Sequence, residues 1–340
     1  MPTLYINGQD TEAHLEDRRI NISWLNFQHD EVEKLYAPLH DLDRVVIIGE
    51  PRVSMAVLHC FLKNDIPVYL LTYHGHWLGS MLPNDNGNGL RRLRQYEVES
   101  DEDLQLRVAK RLVLAKIRNM RRVLQRLAAN RRQSDDAQQT EVCDSLAKLL
   151  EDMNRAESIE SVRGYEGIAT SVYFGRLGAF FPPDIPFTNR NRRPPRDEAN
   201  ALLSWTYTIV MAEIEAEIRC AGLDPSFGFL HEMEYGRPSL ACDLLEPLRA
   251  PLCDLLVLNL LNHDLVKRSD FHREAGDGGV YLNNEVRKTF FTEYETYMER
   301  KFAETKGGQH VTFRRVIRNM VNAVCNIIEN KEAEDFFLMP

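Results

Sequence analysis

The chain has 340 residues, of which 44% are hydrophobic and 27% are charged, proportions typical of a globular protein with about two domains. Its six cysteines show no Cys-x-x-Cys spacing, which excludes a cysteine-ligated zinc or iron–sulfur site and fits a reducing cytoplasm. The formal net charge of −9 argues against DNA binding unless cations cluster locally, and the longest apolar run, 250–261, is too short to span a membrane.

Residues 1–83 are predicted to form a small β-rich domain. Runs of β-branched and aromatic residues bounded by turn-forming residues predict strands at 3–7, 14–22, 44–48 and 67–73. One helix is predicted at 52–63. His74 and His76 have the spacing of a metal pair on a strand, but no acid stands nearby and we interpret them as structural. The polar, turn-rich stretch 84–89 is predicted to be a linker.

Residues 90–340 are predicted to form a larger all-α domain, so the fold class is α+β. The stretch 107–132 carries ten lysines and arginines and no acid. Its apolar residues recur at helical spacing, which predicts a helix with one buried stripe and one basic face. We interpret the arginines of that face as phosphate contacts, although solvated charge is the simpler alternative; they are Arg111, Arg118 and Arg122.

A second basic cluster lies at 189–196, where two prolines predict a loop. Arg192 and Arg193 are its candidate phosphate contacts. Asp197 then begins a predicted helix that runs through Arg219 and ends at Gly222. Other helices are predicted at 141–161, 251–267, 284–302 and 311–329.

The stretch 231–246 gathers an imidazole, a guanidinium and two carboxylates around a Pro-Ser helix start. Asp243 and Glu246 are three residues apart, so their carboxylates share a helix face and repel unless a cation or protons lie between them. A reversal through Gly236 is expected to bring the His231 ring back towards that face. The pattern fits half of a metal site, and it also fits an ordinary solvated helix.

Glu166 is the candidate for a further ligand. Its predicted helix face turns inward, and a carboxylate there is unfavourable unless it is paired or bound to metal. Each glycine inside a helix costs about 1 kcal/mol relative to alanine, so we expect another backbone to approach closely at Gly164, Gly167, Gly175 and Gly178. Two glutamates and one histidine suit Mg²⁺ or Mn²⁺ better than a thiolate-preferring metal.

The joint order of three segments closely resembles the CRISPR-associated spacer integrase and endonuclease, protein one of that system. The segments are Gly-Tyr-Glu166-Gly, His231 with the following Tyr-Gly-Arg-Pro-Ser-Leu-Ala, and Asp243-Leu-Leu-Glu246-Pro-Leu-Arg249. Further matches at 45–49, 66–70, 197–204, 269–271, 278–282 and 287–288 extend over nearly the whole chain. The resemblance implies a metal-dependent DNA endonuclease and strand-transferase that inserts spacers into a repeat array.

The resemblance also implies a ligand set of Glu166, His231 and Glu246, the last standing where many relatives carry aspartate. His231 suits a general base as well as a metal ligand. Arg237 is expected to neutralise charge on the substrate phosphate, and Asp243 to orient the ligands. Because removing a ligand relieves crowded anions, we expect alanine variants of the three to lose activity while metal-free stability holds or rises.

Asn200 and Ser204 lie one turn apart on a predicted helix. Capping and surface roles would explain them, whereas the resemblance implies that they shape the catalytic pocket or hold DNA. The implied partners are double-stranded DNA, as spacer precursor and repeat array, a small CRISPR-associated protein that bridges two dimers, and a separate iron–sulfur acquisition nuclease. Short strands with exposed edges in residues 1–83 also favour a symmetric homodimer. A branched-DNA repair nuclease and a non-catalytic nucleic-acid-binding scaffold are the alternatives.

Overall fold

The computed structural model describes residues 3–16, 19–26, 31–73, 77–83, 89–131, 136–303 and 310–340. The chain divides into two compact units, Met1–Asn88 and Gly89–Pro340. The first is rich in strands and the second in helices, which confirms the predicted α+β class. His74 and His76 lie outside the described residues, as does the linker predicted at 84–89 except for its last residue.

The described part of the first unit contains eight strands and one helix. They are β1 (Thr3–Asn7), β2 (Thr11–Glu16), β3 (Arg19–Asn26), β4 (Glu31–Pro38), β5 (Arg44–Ile48), β6 (Arg52–Val53), α1 (Met55–Lys63), β7 (Val68–Leu71) and β8 (Trp77–Met81). One sheet has the order β1-β5-β7-β8, in which only the β7–β8 pair is antiparallel. The other has the order β4-β3-β2-β6.

The two sheets and α1 share one apolar core. Ile6 and Ile47 come from the first sheet, Ile20 and Ile22 from the second, and Phe61 from α1. All five residues of β5 are buried, as expected for a strand with parallel neighbours on both sides. This core gives the β-rich unit its own stability.

The strand predicted at 14–22 is wrong, because the chain reverses within it. β2 and β3 pair in antiparallel fashion, with Ala13 opposite Ile22 and Leu15 opposite Ile20. Both arms alternate apolar and polar residues, but the apolar positions change from odd numbers in β2 to even numbers in β3, and this change of phase marks the reversal. Strands β4, β6 and β8 were not predicted, and β6 occupies the first two residues of the helix predicted at 52–63.

The described part of the second unit is mainly helical. Its helices are α2 (Gly89–Glu99), α3 (Glu102–Asn130), α4 (Ala137–Asn154), α5 (Ile159–Leu177), α6 (Glu198–Cys220), α7 (Ser239–Leu248), α8 (Leu255–Asn262), α9 (Asn284–Glu299) and α10 (Phe313–Asn330). Two short hairpins join them, formed by β9 (Phe271–Arg273) with β10 (Val280–Leu282), and by β11 (Phe302–Ala303) with β12 (His310–Val311).

The central element of this unit is α3, which packs against α4, α5 and α7. Its apolar stripe is buried as predicted, since Val113, Ile117, Met120 and Leu124 have almost no exposed surface. The opposite face is basic and exposed. The amphipathic pattern therefore predicted both the helix and its orientation.

Helix α6 begins and ends as predicted. Asp197 accepts a hydrogen bond from the Asn200 backbone N–H at 2.8 Å, which satisfies an otherwise unpaired donor of the first turn. At the other end Gly222 has φ of 76°, and its N–H donates to the carbonyl of Arg219. Only glycine adopts this left-handed conformation at no steric cost.

Two predicted helices have different boundaries in the structure. The one predicted at 141–161 ends at Asn154, and Ser158 then caps the separate helix α5 by accepting from the Ser161 N–H at 3.2 Å. The one predicted at 251–267 begins with a π-helical segment, Arg249–Asp254, and continues as α8. Pro247 and Pro251 lack the N–H that a regular α-helix needs, which accounts for the irregular segment.

None of the helices in the described parts of the chain combines the length and the apolar character needed to cross a membrane. Residues 331–340 follow α10 without regular secondary structure. This tail is nevertheless packed, because Phe336 and Phe337 are buried. Asn119 of α3 donates to the Phe337 carbonyl at 2.9 Å and accepts from the Met339 N–H at 2.7 Å.

Replacing Phe337 with alanine is expected to destabilise the helical unit by about 3 kcal/mol, since it leaves a cavity at the tail's anchor. Leu338 is the matched control, because it is 36% exposed whereas Phe337 is 6% exposed. Urea unfolding followed by tryptophan fluorescence measures both variants. Equal effects of the two substitutions would show that the tail is not anchored through Phe337.

Candidate active site

Three helices bring two predicted carboxylates to one buried lysine. Glu166 lies on α5, Glu246 on α7 and Lys116 on α3. The Lys116 ammonium donates to Oε1 of Glu166 and lies 2.5 Å from Oε2 of Glu246. The lysine side chain is only 3% exposed. Two of the three predicted ligands therefore meet at a single positive charge, and that charge belongs to the chain itself.

Lys116 was missed among the ten basic residues of its segment, although the sequence carries a signal for it. It lies four residues after Leu112 and four before Met120, both of which are buried. Residues at that spacing share a helix face, so Lys116 falls within the apolar stripe rather than on the basic face. A lysine in such a stripe requires a buried partner.

Glu246 is 4% exposed and has a second cationic partner. Arg249, one helical turn later, donates from Nε to Oε1 of Glu246 at 3.0 Å. Burial by itself would raise the pKa of Glu246, but the charges of Arg249 and Lys116 outweigh it and lower the pKa to about 2. Glu246 is therefore ionised at any pH at which the protein works.

The low pKa of Glu246 predicts a pH-dependent contribution to stability. An unfolded glutamate titrates near 4.5, so the contribution is complete above that pH and is lost as the pH falls towards 2. We expect the difference in unfolding free energy between the wild type and Glu246→Gln to shrink by about 2 kcal/mol between pH 6 and pH 3. Urea unfolding at each pH measures it.

Taking the difference between the two proteins removes the effect of other buried carboxyls. Asp254 is one of these, because its burial raises its pKa to about 6. A difference that stayed constant with pH would show that Glu246 has an ordinary pKa in the folded chain.

Asp243 is fully buried and all its contacts lie within the chain. Oδ2 accepts from the backbone N–H groups of Phe229 and Leu230 at 2.5 and 3.0 Å. Oδ1 accepts from the backbone and from the Nδ1 of His231, at 3.0 and 2.7 Å. The spacing argument expected a shared cation or protons between Asp243 and Glu246. In the structure each carboxylate instead has its own partners, and these offset the repulsion.

His231 is oriented by this carboxylate. Because an ionised carboxylate only accepts hydrogen bonds, Nδ1 of His231 must carry the proton. Nε2 is then unprotonated in the neutral ring, and it has no partner among the residues that the structure describes. The reversal predicted before α7 is present, with Gly236 at φ of 73°. When the His231 ring is protonated, its charge also helps to lower the pKa of Glu246.

Another backbone was predicted to approach all four glycines around Glu166, and the structure shows this at only one of them. A side chain on Gly164, Gly167 or Gly175 would meet nothing within 4 Å, and these positions are exposed. Only at Gly178 does another backbone approach, since a Cβ there would lie 2.6 Å from the carbonyl oxygen of Phe187. Close backbone packing is therefore confirmed at Gly178 and wrong for the other three.

The donor types at this site fit a hard divalent cation. Glu246 Oε2 is buried without a hydrogen bond of normal geometry, Glu166 also accepts from Thr170 Oγ1 at 2.8 Å, and Nε2 of His231 has no hydrogen-bond partner among the described residues. Within the described ranges, however, no three His, Cys, Asp or Glu side chains already converge as a metal cage. Lys116 lies between the two glutamates. The site thus holds the right ligand chemistry with an ammonium group in its centre.

Asn200 lies buried in the first turn of α6. It has no exposed surface and donates to the carbonyl of Asn189 at 2.9 Å. Arg190 donates to the side-chain oxygen of Asn200 at 2.6 Å and to Ser204 Oγ at 2.9 Å. Asn200 and Ser204 therefore anchor the basic loop 189–196 to α6, so burial disfavours direct DNA contact by Asn200, and a role of the two residues in shaping the catalytic pocket stays a prediction.

The basic face of α3 is partly occupied by the C-terminal tail. Arg111 pairs with Asp335 at 2.9 Å, and Arg122 donates to the Pro340 carbonyl at 2.9 Å. The basic helix face in the sequence predicted that both arginines contact phosphates. Arg118 is exposed and has no ion pair within the described part of the chain. It lines a groove of about 420 Å³ between α3 and α4, together with Arg121 and Arg122.

The other predicted cationic residues lie at the surface. Arg192 and Arg193 are exposed in the loop before α6, and neither forms an ion pair within the ranges that the structure describes. Arg237 pairs with Glu234 at 2.8 Å, so it is engaged before any phosphate arrives. All three remain predicted DNA contacts.

Comparison with known proteins points to one family. Residues 4–296 match the family model described as CRISPR associated protein Cas1. The chain is 34% identical over 322 residues to a CRISPR-associated endonuclease Cas1 from Thermodesulfovibrio yellowstonii, covering 93% of this chain and 98% of the relative. It is 33% identical to a Cas4 exonuclease/Cas1 endonuclease fusion from Geobacter sulfurreducens, covering 86% of this chain and 53% of the fusion.

The fold is also that of a known integrating enzyme. A casposase bound to its integration product superimposes with a TM-score of 0.85 at 25% sequence identity. The match covers 100% of this chain and 94% of the casposase.

Proposed function

Because the chain belongs to the Cas1 family of CRISPR-associated proteins, we propose that it is a metal-dependent DNA endonuclease and integrase of CRISPR adaptation. The reaction is attack of a spacer 3′-hydroxyl on a phosphodiester of the repeat array, which forms a P–O bond to the spacer, breaks the P–O3′ bond of the array strand and leaves a free 3′-hydroxyl on that strand. One observation supports this best. Glu166 and Glu246, 80 residues apart in sequence, meet at one charge beside a histidine held by Asp243.

In this proposal Glu166, Glu246 and His231 hold Mg²⁺ or Mn²⁺. When bound, the cation supplies Lewis acidity towards the scissile phosphate and lowers the pKa of the attacking hydroxyl. Arg249 keeps Glu246 ionised and fixes one of its oxygens. Water in place of the 3′-hydroxyl gives cleavage instead of joining.

Asp243 has an orienting role in the proposal. Its hydrogen bond to Nδ1 fixes the ring and the tautomer of His231, which leaves Nε2 able to bind the cation or to accept a proton from the nucleophile. Both uses of Nε2 depend on the same hydrogen bond. Phosphate contact by Arg237 requires it to exchange Glu234 for the substrate.

DNA is proposed to contact the exposed arginines. Arg118 in its groove offers a free guanidinium, and Arg192 and Arg193 extend a second basic surface before α6. Contact by Arg111 or Arg122 requires displacement of the tail, because Asp335 and Pro340 already engage them. Arg118 is therefore the best placed of the three α3 arginines.

We expect Arg118→Gln to weaken binding to all duplex sequences alike and to lower the salt dependence of affinity by about one unit of slope. Arg111→Gln is the matched control on the same helix face. Since Arg111 is already paired with Asp335, its loss should change the slope much less. Fluorescence anisotropy over a salt series measures both. If the salt dependence of affinity is unchanged in Arg118→Gln, Arg118 is solvated and contacts no phosphate.

The proposed assembly is a homodimer formed by the β-rich unit. Strand β4 is an edge strand of its sheet and exposes Val32, Leu35 and Tyr36, an arrangement that a second copy would cover. We further propose a small CRISPR-associated partner that bridges two such dimers, and an iron–sulfur nuclease on a separate chain. The Cas4 exonuclease/Cas1 endonuclease fusion supports association with a second nuclease. The cytoplasm is the proposed location.

A strand-transfer assay tests the function. It combines the full chain, the small partner, a short duplex with free 3′ ends and a repeat-containing target, with and without Mn²⁺. We expect joined products only with Mn²⁺, and none from a duplex whose 3′ ends lack the hydroxyl. Cleavage without joining would instead indicate a repair nuclease. DNA binding that survives chelation, with neither reaction, would indicate a scaffold.

A further inference from the structure

Lys116 occupies the place between the two glutamates that a cation would take. Its Nζ donates to Oε1 of Glu166, and Oε2 of Glu246 lies 2.5 Å from the same nitrogen. That Glu246 oxygen accepts no hydrogen bond of normal geometry. The attraction between the Lys116 ammonium and the Glu246 carboxylate is mainly electrostatic, so another cation could replace the ammonium.

The charges at this point already balance. Two carboxylates, Glu166 and Glu246, face two cations, Lys116 and Arg249. Adding a divalent cation without losing one of the ammonium or guanidinium contacts would leave excess positive charge in a largely buried site. Such an arrangement is strongly unfavourable at low effective dielectric. Withdrawal of one basic side chain halves this excess, from two positive charges to one, so metal binding favours it.

Arg249 is the less able of the two to move. Its guanidinium is held by Glu246 at 3.0 Å and lies 4.6 Å from the ring centroid of Tyr207. The Tyr207 hydroxyl is in turn fixed by a hydrogen bond to Asp254 at 2.5 Å. Lys116 carries a point charge on a flexible four-carbon stem, and the glutamates are its only ion-pair partners within the described part of the chain.

We propose that Lys116 acts as a built-in counter-cation, which pairs Glu166 with Glu246 in the metal-free chain and must be displaced for a divalent cation to bind. It therefore lowers the affinity for metal and prevents the two carboxylates from repelling one another when metal is absent. This inference rests on the metal site of the proposed function. It adds that metal binding competes with a side chain of the protein itself.

The test is Mn²⁺ binding by the full chain, measured from the paramagnetic resonance signal of free Mn²⁺. Lys116→Met keeps the length and apolar stem but removes the charge, so we expect Mn²⁺ to bind at least tenfold more tightly than to wild type. Lys110→Met is the control on the same helix, since Lys110 donates to the Asn154 carbonyl and touches neither glutamate. An affinity in Lys116→Met that is unchanged or weaker overturns the inference.

A second measurement uses the wild-type chain, so that the inference is still tested if Lys116→Met does not fold. Lysine acylation by a small reagent, quantified by mass spectrometry, reports whether Lys116 leaves its partners. We expect saturating Mn²⁺ to increase the modification of Lys116 several-fold and to leave Lys110 unchanged. Equal modification of Lys116 with and without Mn²⁺ means that the ammonium stays in place, and it overturns the inference.

The outcomes separate this inference from the function on which it rests. If wild type binds Mn²⁺ and joins DNA while Lys116→Met binds Mn²⁺ no better, Lys116 is not a competitor and the function stands. If neither protein binds Mn²⁺ and wild type joins no DNA, the proposed metal site falls, and the inference falls with it.

Discussion

Replacing Glu246 with glutamine is expected to reduce strand transfer and cleavage by at least about 1,000-fold. The amide keeps the shape of the side chain but removes the negative charge that a cation needs. Glu166→Gln and His231→Ala should have losses of the same order, because the three side chains act as one ligand set. Glu157→Gln is the control, since Glu157 is exposed in the segment before α5 and has no role in the proposed site.

The stability of these variants is expected to differ in a way that the sequence did not predict. Relief of crowded anions suggested that removing any ligand would preserve or raise metal-free stability. The structure reverses this for Glu246, which is buried against both Lys116 and Arg249. Glu246→Ala leaves the largely buried Arg249 without its carboxylate and Lys116 with only the partly exposed Glu166, at a cost of about 3–5 kcal/mol.

Glu166→Ala should cost less, because its side chain is 26% exposed and Lys116 retains Glu246. Gel assays of joined products and urea unfolding of each metal-free variant provide the two measurements. Near-normal activity in any one variant would remove that residue from the site. A Glu246→Ala protein as stable as wild type would contradict the charge-pairing argument.

Asp243→Ala is expected to have the second largest effect, because it affects both the fold and the site. It leaves the backbone N–H groups of Phe229, Leu230 and His231 without their acceptor. Each buried donor left unsatisfied costs about 1–3 kcal/mol, so a total loss of about 4 kcal/mol is expected. The loop that carries His231 would then lose its anchor to α7.

Asp243→Asn separates the orienting role from the structural one. Its amide retains one oxygen acceptor, so part of the stability should remain, while the hydrogen bond to His231 Nδ1 is weakened. We expect a 10- to 100-fold loss of strand transfer, the typical effect of removing a group that orients a ligand. Asp144→Asn, on the exposed surface of α4, controls for the charge change. Full activity in Asp243→Asn would leave Asp243 with a structural role alone.

Much of the fold followed from local patterns in the sequence. The caps at Asp197 and Gly222 and the apolar stripe of α3 depend on neighbours within a few residues, so the sequence alone predicted them. Strand reversals were harder to detect. The reversal between β2 and β3 was missed, although the apolar positions change phase between Leu15 and Ile20.

What the sequence determined about the site was its chemistry and its family. The residue types at Glu166, His231 and Glu246 indicated a hard-cation site, and their joint order indicated the integrase family. Only the tertiary structure decided which charges meet. Helical periodicity assigned Lys116 to a face but not to its partners on α5 and α7, and it could not show that the C-terminal tail engages Arg111 and Arg122. The physical reason is that periodicity describes one helix at a time, whereas an ion pair needs the position of a second.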